Sequence, residues 1–125
     1  MRLEKDFSNY GKSFQETLAQ LILEDRPFCD QMEEVLDVNF FELKYLKLFV
    51  AKIIDYRARY KVHPTGKILA SILRTEIEDE NEAVQKQVRD YFSRTLINRV
   101  SDVEYVKDTS LDFCKKQKLK EAMIR

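Results

Sequence analysis

Apolar side chains recur every three or four positions along most of this chain, as they do on one face of an α-helix. Phe14, Leu18 and Leu21 begin the pattern near the N-terminus. Serine, threonine, asparagine or aspartate precedes the apolar runs, and these residues are preferred at helix N-caps. The predicted helices begin close to Ser13, Asp25, Asn39, Thr65, Asp79 and Ser101. The pattern therefore predicts an all-α fold of about six helices.

Four of these starts have the spacing of a capping box, in which the cap side chain and an acidic side chain three residues later both bind backbone N–H groups. The third predicted helix ends before Pro64, because the residue that precedes a proline disfavours the helical conformation. The pairs with capping-box spacing are Ser13–Glu16, Asn39–Glu42, Asp79–Glu82 and Ser101–Glu104.

The predicted helices differ in how much apolar surface they carry. The third is apolar on almost all sides, which is typical of a helix in the middle of a domain. The last predicted helix is mostly charged after Cys114, so it has little apolar surface to bury. We expect a single domain over residues 1–125, with a compact head at about 13–78 and a C-terminal helical hairpin at about 79–125.

The two helices of such a hairpin cannot turn every apolar side chain towards one small core, and a remaining apolar patch would mark an association surface. Packing into the core is the alternative for the aromatic residues. The residues predicted for this protein interface are Val88, Tyr91, Phe92, Leu96, Leu111 and Cys114.

The charge balance argues against a domain that mainly binds nucleic acid. Lysine plus arginine and aspartate plus glutamate both number 22, so the formal net charge is zero, whereas nucleic-acid-binding domains are usually clearly basic. Direct nucleic-acid contact is therefore expected to be weak or absent. A basic cluster on the last helix remains a candidate for phosphate contact, with a solvated helix face or a protein contact as alternatives. Its members are Lys115, Lys116, Lys118 and Lys120.

No motif predicts a catalytic, cofactor or metal site. Gly11-Lys12-Ser13 matches the end of a phosphate-binding P-loop, but Asp6 stands where the motif needs its first glycine, so no glycine-rich nest of amides is expected. His63 is the only histidine and is expected in a solvent-facing turn. It lies far along the chain from both cysteines, and a zinc site needs about four ligands.

The remaining compositional signals indicate a cytoplasmic protein. Cys29 and Cys114 are expected to be buried free thiols, as is usual in a reducing compartment. No apolar run approaches the ~20 residues that span a bilayer. Residues 1–6 lack the apolar region of a secretory signal.

Five segments together resemble the N-terminal domain of DnaB-family replicative DNA helicases, in its divergent, phage-like members. They are QETLAQLILED at 15–25, VLDVNFF at 35–41, the long run from Leu48 to Pro64-Thr65, and YVKD at 105–108, followed by KLKEA at 118–122. The resemblance spans about residues 13–124. The chain departs from the family at Phe14, where alanine is usual, and at the acidic stretch 78–82, which replaces a glycine-containing one.

The resemblance implies a non-catalytic scaffold. In that family the domain forms dimers that close into a ring as a trimer of dimers, and primase and loader proteins bind to it. ATP hydrolysis belongs to a separate motor domain, and nothing in residues 1–125 is similar to that domain. The chain would then be the collar alone, as a fragment or a separate protein. The alternatives are the helicase-binding domain of a primase, which shares this helical fold, and a stand-alone phage regulator that binds replication proteins.

Overall fold

Six α-helices and two short 3₁₀-helices form the part of the chain that the computed structural model describes, residues 5–124. In chain order they are a first 3₁₀-helix at Phe7–Tyr10, α1 (Gly11–Glu24), α2 (Arg26–Glu33), a second 3₁₀-helix at Val38–Phe40, α3 (Lys44–Tyr60), α4 (Gly66–Thr75), α5 (Glu82–Thr95) and α6 (Val103–Ile124). No strand occurs between residues 5 and 124. The predicted all-α fold of about six helices is confirmed.

Local capping side chains begin three of the helices. Asp25 accepts a hydrogen bond of 3.1 Å from the main-chain N–H of Phe28 at the start of α2. Thr65 Oγ1 accepts one of 3.2 Å from the N–H of Ile68 at the start of α4. Both caps were predicted. The cap of α5 is Asn81, rather than the predicted Asp79.

Two further predicted capping boxes are wrong because tertiary packing starts the helices elsewhere. The first 3₁₀-helix buries Phe7 completely and leads straight into α1 at Gly11. Ser13 therefore lies inside α1 instead of capping it. Asn39 lies in the second 3₁₀-helix, and α3 begins only at Lys44 without a side-chain cap.

One hydrophobic core includes residues of both the predicted head and the predicted hairpin. The third helix lies in the middle, as predicted: α3 packs against α1, α4 and α5. In turn α5 packs on α3 and α4, whereas α6 packs on α1 and α2. The last two helices thus take different neighbours within the same core. The core includes Leu18, Ile22, Met32, Leu46, Phe49, Ile53, Leu69, Val88 and Cys114.

Candidate protein-binding surfaces

Four of the six residues predicted for the protein interface are buried in the core of their own chain. On α5, Val88, Tyr91 and Phe92 are at most 8% exposed, and Cys114 on α6 is fully buried. The prediction that these four belong to a leftover apolar surface was wrong, because α5 lies directly over α3. The ring of Phe49 is 5.0 Å from that of Tyr91, centroid to centroid.

The other two predicted residues lie nearer the surface. Leu96 is 68% exposed where α5 ends, and its neighbour Ile97 is 82% exposed. Leu111 is partly buried and packs against the edge of the core. Only Leu96 among the six therefore presents a largely uncovered apolar side chain.

A hydrogen-bonded network around Glu16 joins three helices near the buried Tyr91. The Glu16 carboxylate accepts two hydrogen bonds of 2.9 Å from Arg94 and one from the hydroxyl of Tyr45. The Tyr91 hydroxyl donates to the main-chain oxygen of Glu16. Burial opposes ionisation of Glu16, but the hydrogen bonds from Arg94 and Tyr45 outweigh it and lower the pKa of the carboxyl. The network was not predicted, because its members lie far apart in the sequence.

His63 is held between α1 and α3 instead of facing solvent as predicted. Its Nδ1 lies 2.8 Å from a guanidinium nitrogen of Arg57, and its Nε2 lies 2.6 Å from the main-chain oxygen of Leu23. A guanidinium can only donate, so Nδ1 accepts and the Nε2–H group donates to Leu23. Arg57 also forms ion pairs with Asp30 and Glu33 on α2. These contacts assign His63 a structural role.

The two cysteines do not form a reactive site. Both cysteines are free and buried, and burial raises the pKa of Cys29 to about 11 and that of Cys114 to about 12. Such thiols are poor nucleophiles near neutral pH.

Between residues 5 and 124, no three His, Cys, Asp or Glu residues are grouped so that they could hold a metal ion. No helix in that range is long and apolar enough to cross a membrane.

The four lysines of α6 do not form a single basic strip. Lys116 pairs with Asp112 at 2.9 Å, and Lys118 donates a hydrogen bond of 2.6 Å to the main-chain oxygen of Glu34. At 3.6 residues per turn, Lys118 lies on the side of the helix opposite Lys116 and Lys120. A phosphate backbone that follows α6 could therefore meet only part of the cluster, which also includes Lys115.

An exposed groove between α3 and α4 combines aromatic, aliphatic and charged side chains. The Tyr56 and Tyr60 rings lie 4.7 Å apart, centroid to centroid, and the guanidinium carbon of Arg59 lies 5.4 Å from the Tyr60 centroid. Tyr60 is 53% exposed. The groove lining also includes Lys52, Asp55, Ile68, Ser71, Ile72 and Glu76. Exposed aromatic residues beside charged ones are characteristic of protein interfaces. The signal in the sequence was the pair of tyrosines one turn apart.

A second exposed surface follows one side of α6; at its edge the ring of Tyr105 also contacts Phe14 on α1, with the ring centroids 6.3 Å apart. Tyr105 and Leu119 are each 61% exposed, and Met123 is 77% exposed. We call this side the outer face of α6. It consists of Glu104, Tyr105, Asp108, Asp112, Lys115, Lys116, Leu119, Ala122 and Met123, all of which are exposed. Of the two α6 residues predicted for the interface, Cys114 lies on the opposite, buried side of the helix, and Leu111 is partly buried at the edge of the core.

Neither surface can be assigned by similarity to a known protein. The chain matches no family model, no curated protein and no solved structure.

Proposed function

We propose that this chain is the N-terminal collar domain of a DnaB-like hexameric replicative helicase, working in the cytoplasm. It joins protomers into dimers or a trimer of dimers, and it binds a primase or a helicase loader. In this proposal it contributes no ATPase site, because ATP hydrolysis belongs to the motor domain of the same helicase. Contact with nucleic acid is at most a minor activity of the domain.

The observation that carries the proposal is that one small domain leaves large apolar side chains exposed on two separate surfaces. The α3–α4 groove exposes Tyr60 and Ile68, and the outer face of α6 exposes Tyr105, Leu119 and Met123. Soluble domains rarely leave such groups uncovered in clusters unless they bind something there. A collar needs two surfaces of this kind, one for its own copies and one for a partner.

The lining of the groove supports its use for the partner. Tyr60 presents a large ring with little conformational freedom, and such residues dominate the energy of protein interfaces. The groove also carries three charged residues, whose charges would favour a partner with a complementary charge pattern. They are Lys52, Asp55 and Glu76. The predicted hot spot of the groove is thus Tyr60 together with Ile68.

Binding of the isolated chain to purified primase and to purified loader, measured by isothermal titration calorimetry, tests the proposal. We expect saturable binding to at least one of them. The variant with Tyr60→Ala and Ile68→Ala should weaken this binding at least about tenfold, since interface hot spots contribute about 2 kcal/mol or more. Leu96→Ala is the control, because it removes an apolar side chain that lies outside the groove and is more exposed than either Tyr60 or Ile68.

Two outcomes would contradict the proposal. Failure to bind either protein at high concentration would remove the collar assignment. Binding to an intact helicase hexamer, with none to primase, would favour the helicase-binding domain of a primase instead.

A further inference from the structure

A pocket between the N-terminal parts of α1 and α6 combines aromatic rings with a single charged side chain. Its volume is about 280 Å³, which suits a ligand smaller than a drug-sized molecule. Tyr10 and Phe14 line it from the α1 side, and Tyr105 lines it from the first turn of α6. Of the described residues that line the pocket, Asp102 alone is charged.

The three rings form two walls of this pocket. The rings of Tyr10 and Phe14 are stacked, with their centroids 4.7 Å apart and 27° between their planes. The ring of Tyr105 stands at 83° to that of Phe14, at a centroid distance of 6.3 Å. An aromatic wall from α1 and another from α6 therefore meet at nearly a right angle. Because Tyr105 is 61% exposed, the α6 wall is accessible to a ligand.

The charges around the pocket favour a cation. The face of an aromatic ring is partly negative and attracts cations, and the carboxylate of Asp102 adds a full negative charge. Between residues 5 and 124, no lysine or arginine lines the pocket to receive an anion. The N-terminus of α6 carries a positive charge of about half a unit, which the full charge of Asp102 outweighs.

The aromatic walls also determine which kind of cation fits. A primary ammonium is compact and strongly hydrated, and its N–H groups need hydrogen-bond acceptors. A quaternary ammonium has no N–H group and presents methyl groups to its surroundings, so aromatic walls bind it well. Hydroxyl groups on the same pocket suit a ligand with a polar tail beside its cationic head. They belong to Ser13, Thr17 and Ser101.

We propose that this pocket binds a small organic cation with a quaternary ammonium group, such as free choline or the choline headgroup of a lipid. The cationic head lies between the two aromatic walls, and the carboxylate of Asp102 balances its charge. The site goes beyond the proposed function, since none of its lining residues belongs to the α3–α4 groove.

Titration of the ¹⁵N-labelled chain with choline, followed by NMR, tests the site. We expect the amide signals of Ser101, Asp102 and Tyr105 to shift saturably, with a dissociation constant on the order of 1 mM. Ethanolamine is the matched ligand, because it carries a primary ammonium in place of the quaternary one. It should bind at least about tenfold more weakly. Sodium chloride at the same concentrations corrects for ionic strength.

Substitutions at Tyr105 and Asp102 locate the binding site. Tyr105→Ala removes the α6 wall and should weaken choline binding at least about tenfold, whereas Tyr105→Phe keeps the ring and should bind within about twofold of the wild type. Asp102→Asn removes the charge and should weaken binding about fivefold; asparagine tolerates the φ of 55° at this position. Tyr60→Ala is the control, because it removes a ring that is 53% exposed outside the pocket, and it should bind choline like the wild type.

Co-sedimentation with lipid vesicles distinguishes the two sources of the cation. A lipid headgroup is the ligand if phosphatidylcholine vesicles sediment the chain and phosphatidylglycerol vesicles do not. A free solute is the ligand if choline binds and neither kind of vesicle sediments the chain.

Three results would overturn the site. They are a choline titration that shifts no signals beyond those that sodium chloride shifts, ethanolamine binding as tight as that of choline, and unchanged choline binding by Tyr105→Ala.

Discussion

The guanidinium of Arg94 on α5 donates two hydrogen bonds of 2.9 Å to the carboxylate of Glu16 on α1, across 78 positions of sequence. Tyr45 on α3 donates to the same carboxylate, and Tyr91 on α5 donates to the main-chain oxygen of Glu16. One acidic residue thus holds α5 against both α1 and α3. This hydrogen-bond network lies beside the aromatic core. Hydrogen bonds require specific distances and directions, so the network fixes the alignment of the helices more strictly than apolar packing alone would.

Loss of the Arg94 guanidinium should destabilise the fold. Arg94→Met keeps much of the aliphatic stem but removes both hydrogen bonds. We expect the free energy of unfolding to fall by about 1–2 kcal/mol, because hydrogen bonds to charged groups contribute about 1.5–3 kcal/mol and solvent screens this partly exposed pair. Urea denaturation followed by circular dichroism measures the change. Arg99→Met, at an exposed position beyond α5, is the control, and equal losses in both variants would contradict the role of Arg94.

The same network makes stability depend on pH. The folded pKa of Glu16 lies below its ordinary value of 4.5. A carboxyl with a lowered folded pKa adds stability above its unfolded pKa and loses that stability as the pH falls through the folded pKa. The difference in unfolding free energy between the wild type and Glu16→Gln should therefore be complete at neutral pH and shrink below about pH 4.5. Urea titrations at several pH values test this, and a difference that persists unchanged at about pH 3 would refute it.

The sequence predicts those parts of the fold that depend on neighbouring residues. Asp25 and Thr65 cap their helices because each side chain reaches an N–H group three residues away. Ser13 has the same local signal but lies inside α1, because burial of Phe7 brings the preceding turn into line with that helix. The start of α1 therefore depends on contacts between residues that are distant in the sequence, and local spacing cannot predict such contacts.

The candidate surfaces were harder to predict for a related reason. Helical periodicity identifies the apolar side of α5, but it does not say whether α3 or a second protein covers that side. Tyr91 and Phe92 were therefore assigned to an interface, although Phe49 covers both of them. On the outer face of α6, the sequence indicated only Lys115 and Lys116 as possible contacts, because the apolar members of that face, Tyr105, Leu119 and Met123, are widely spaced.

Lys61 offers a position where a single substitution should stabilise the domain. It follows α3 with a φ of 62°, in the left-handed region that glycine adopts at helix C-termini without strain. Lys61→Gly should raise the free energy of unfolding by about 0.5–1 kcal/mol. Lys86→Gly, in the exposed interior of α5, should lower it by about 1 kcal/mol. Urea denaturation of both variants measures whether each substitution raises or lowers the free energy of unfolding. Destabilisation by Lys61→Gly would contradict the left-handed conformation at this position.

The buried thiols should report on opening of the core. Because burial raises the pKa of Cys29 and Cys114 well above the ordinary value of 9.0, neither forms the reactive thiolate near neutral pH. We expect the native protein to react with a thiol reagent far more slowly than the urea-unfolded chain does. Ser93→Cys supplies an exposed thiol on α5 for comparison. Equally fast labelling of the native wild type and of this added cysteine would show that the core is open.

The mass of the assembly in solution tests the central claim most directly, namely that this domain is a scaffold that joins copies of itself. Sedimentation equilibrium at low salt should give twice the mass of one chain, and with an added DnaB-family motor domain the mass of a complex that contains an even number of copies of this chain. A single-chain mass at every concentration, with and without the motor domain, would contradict the account.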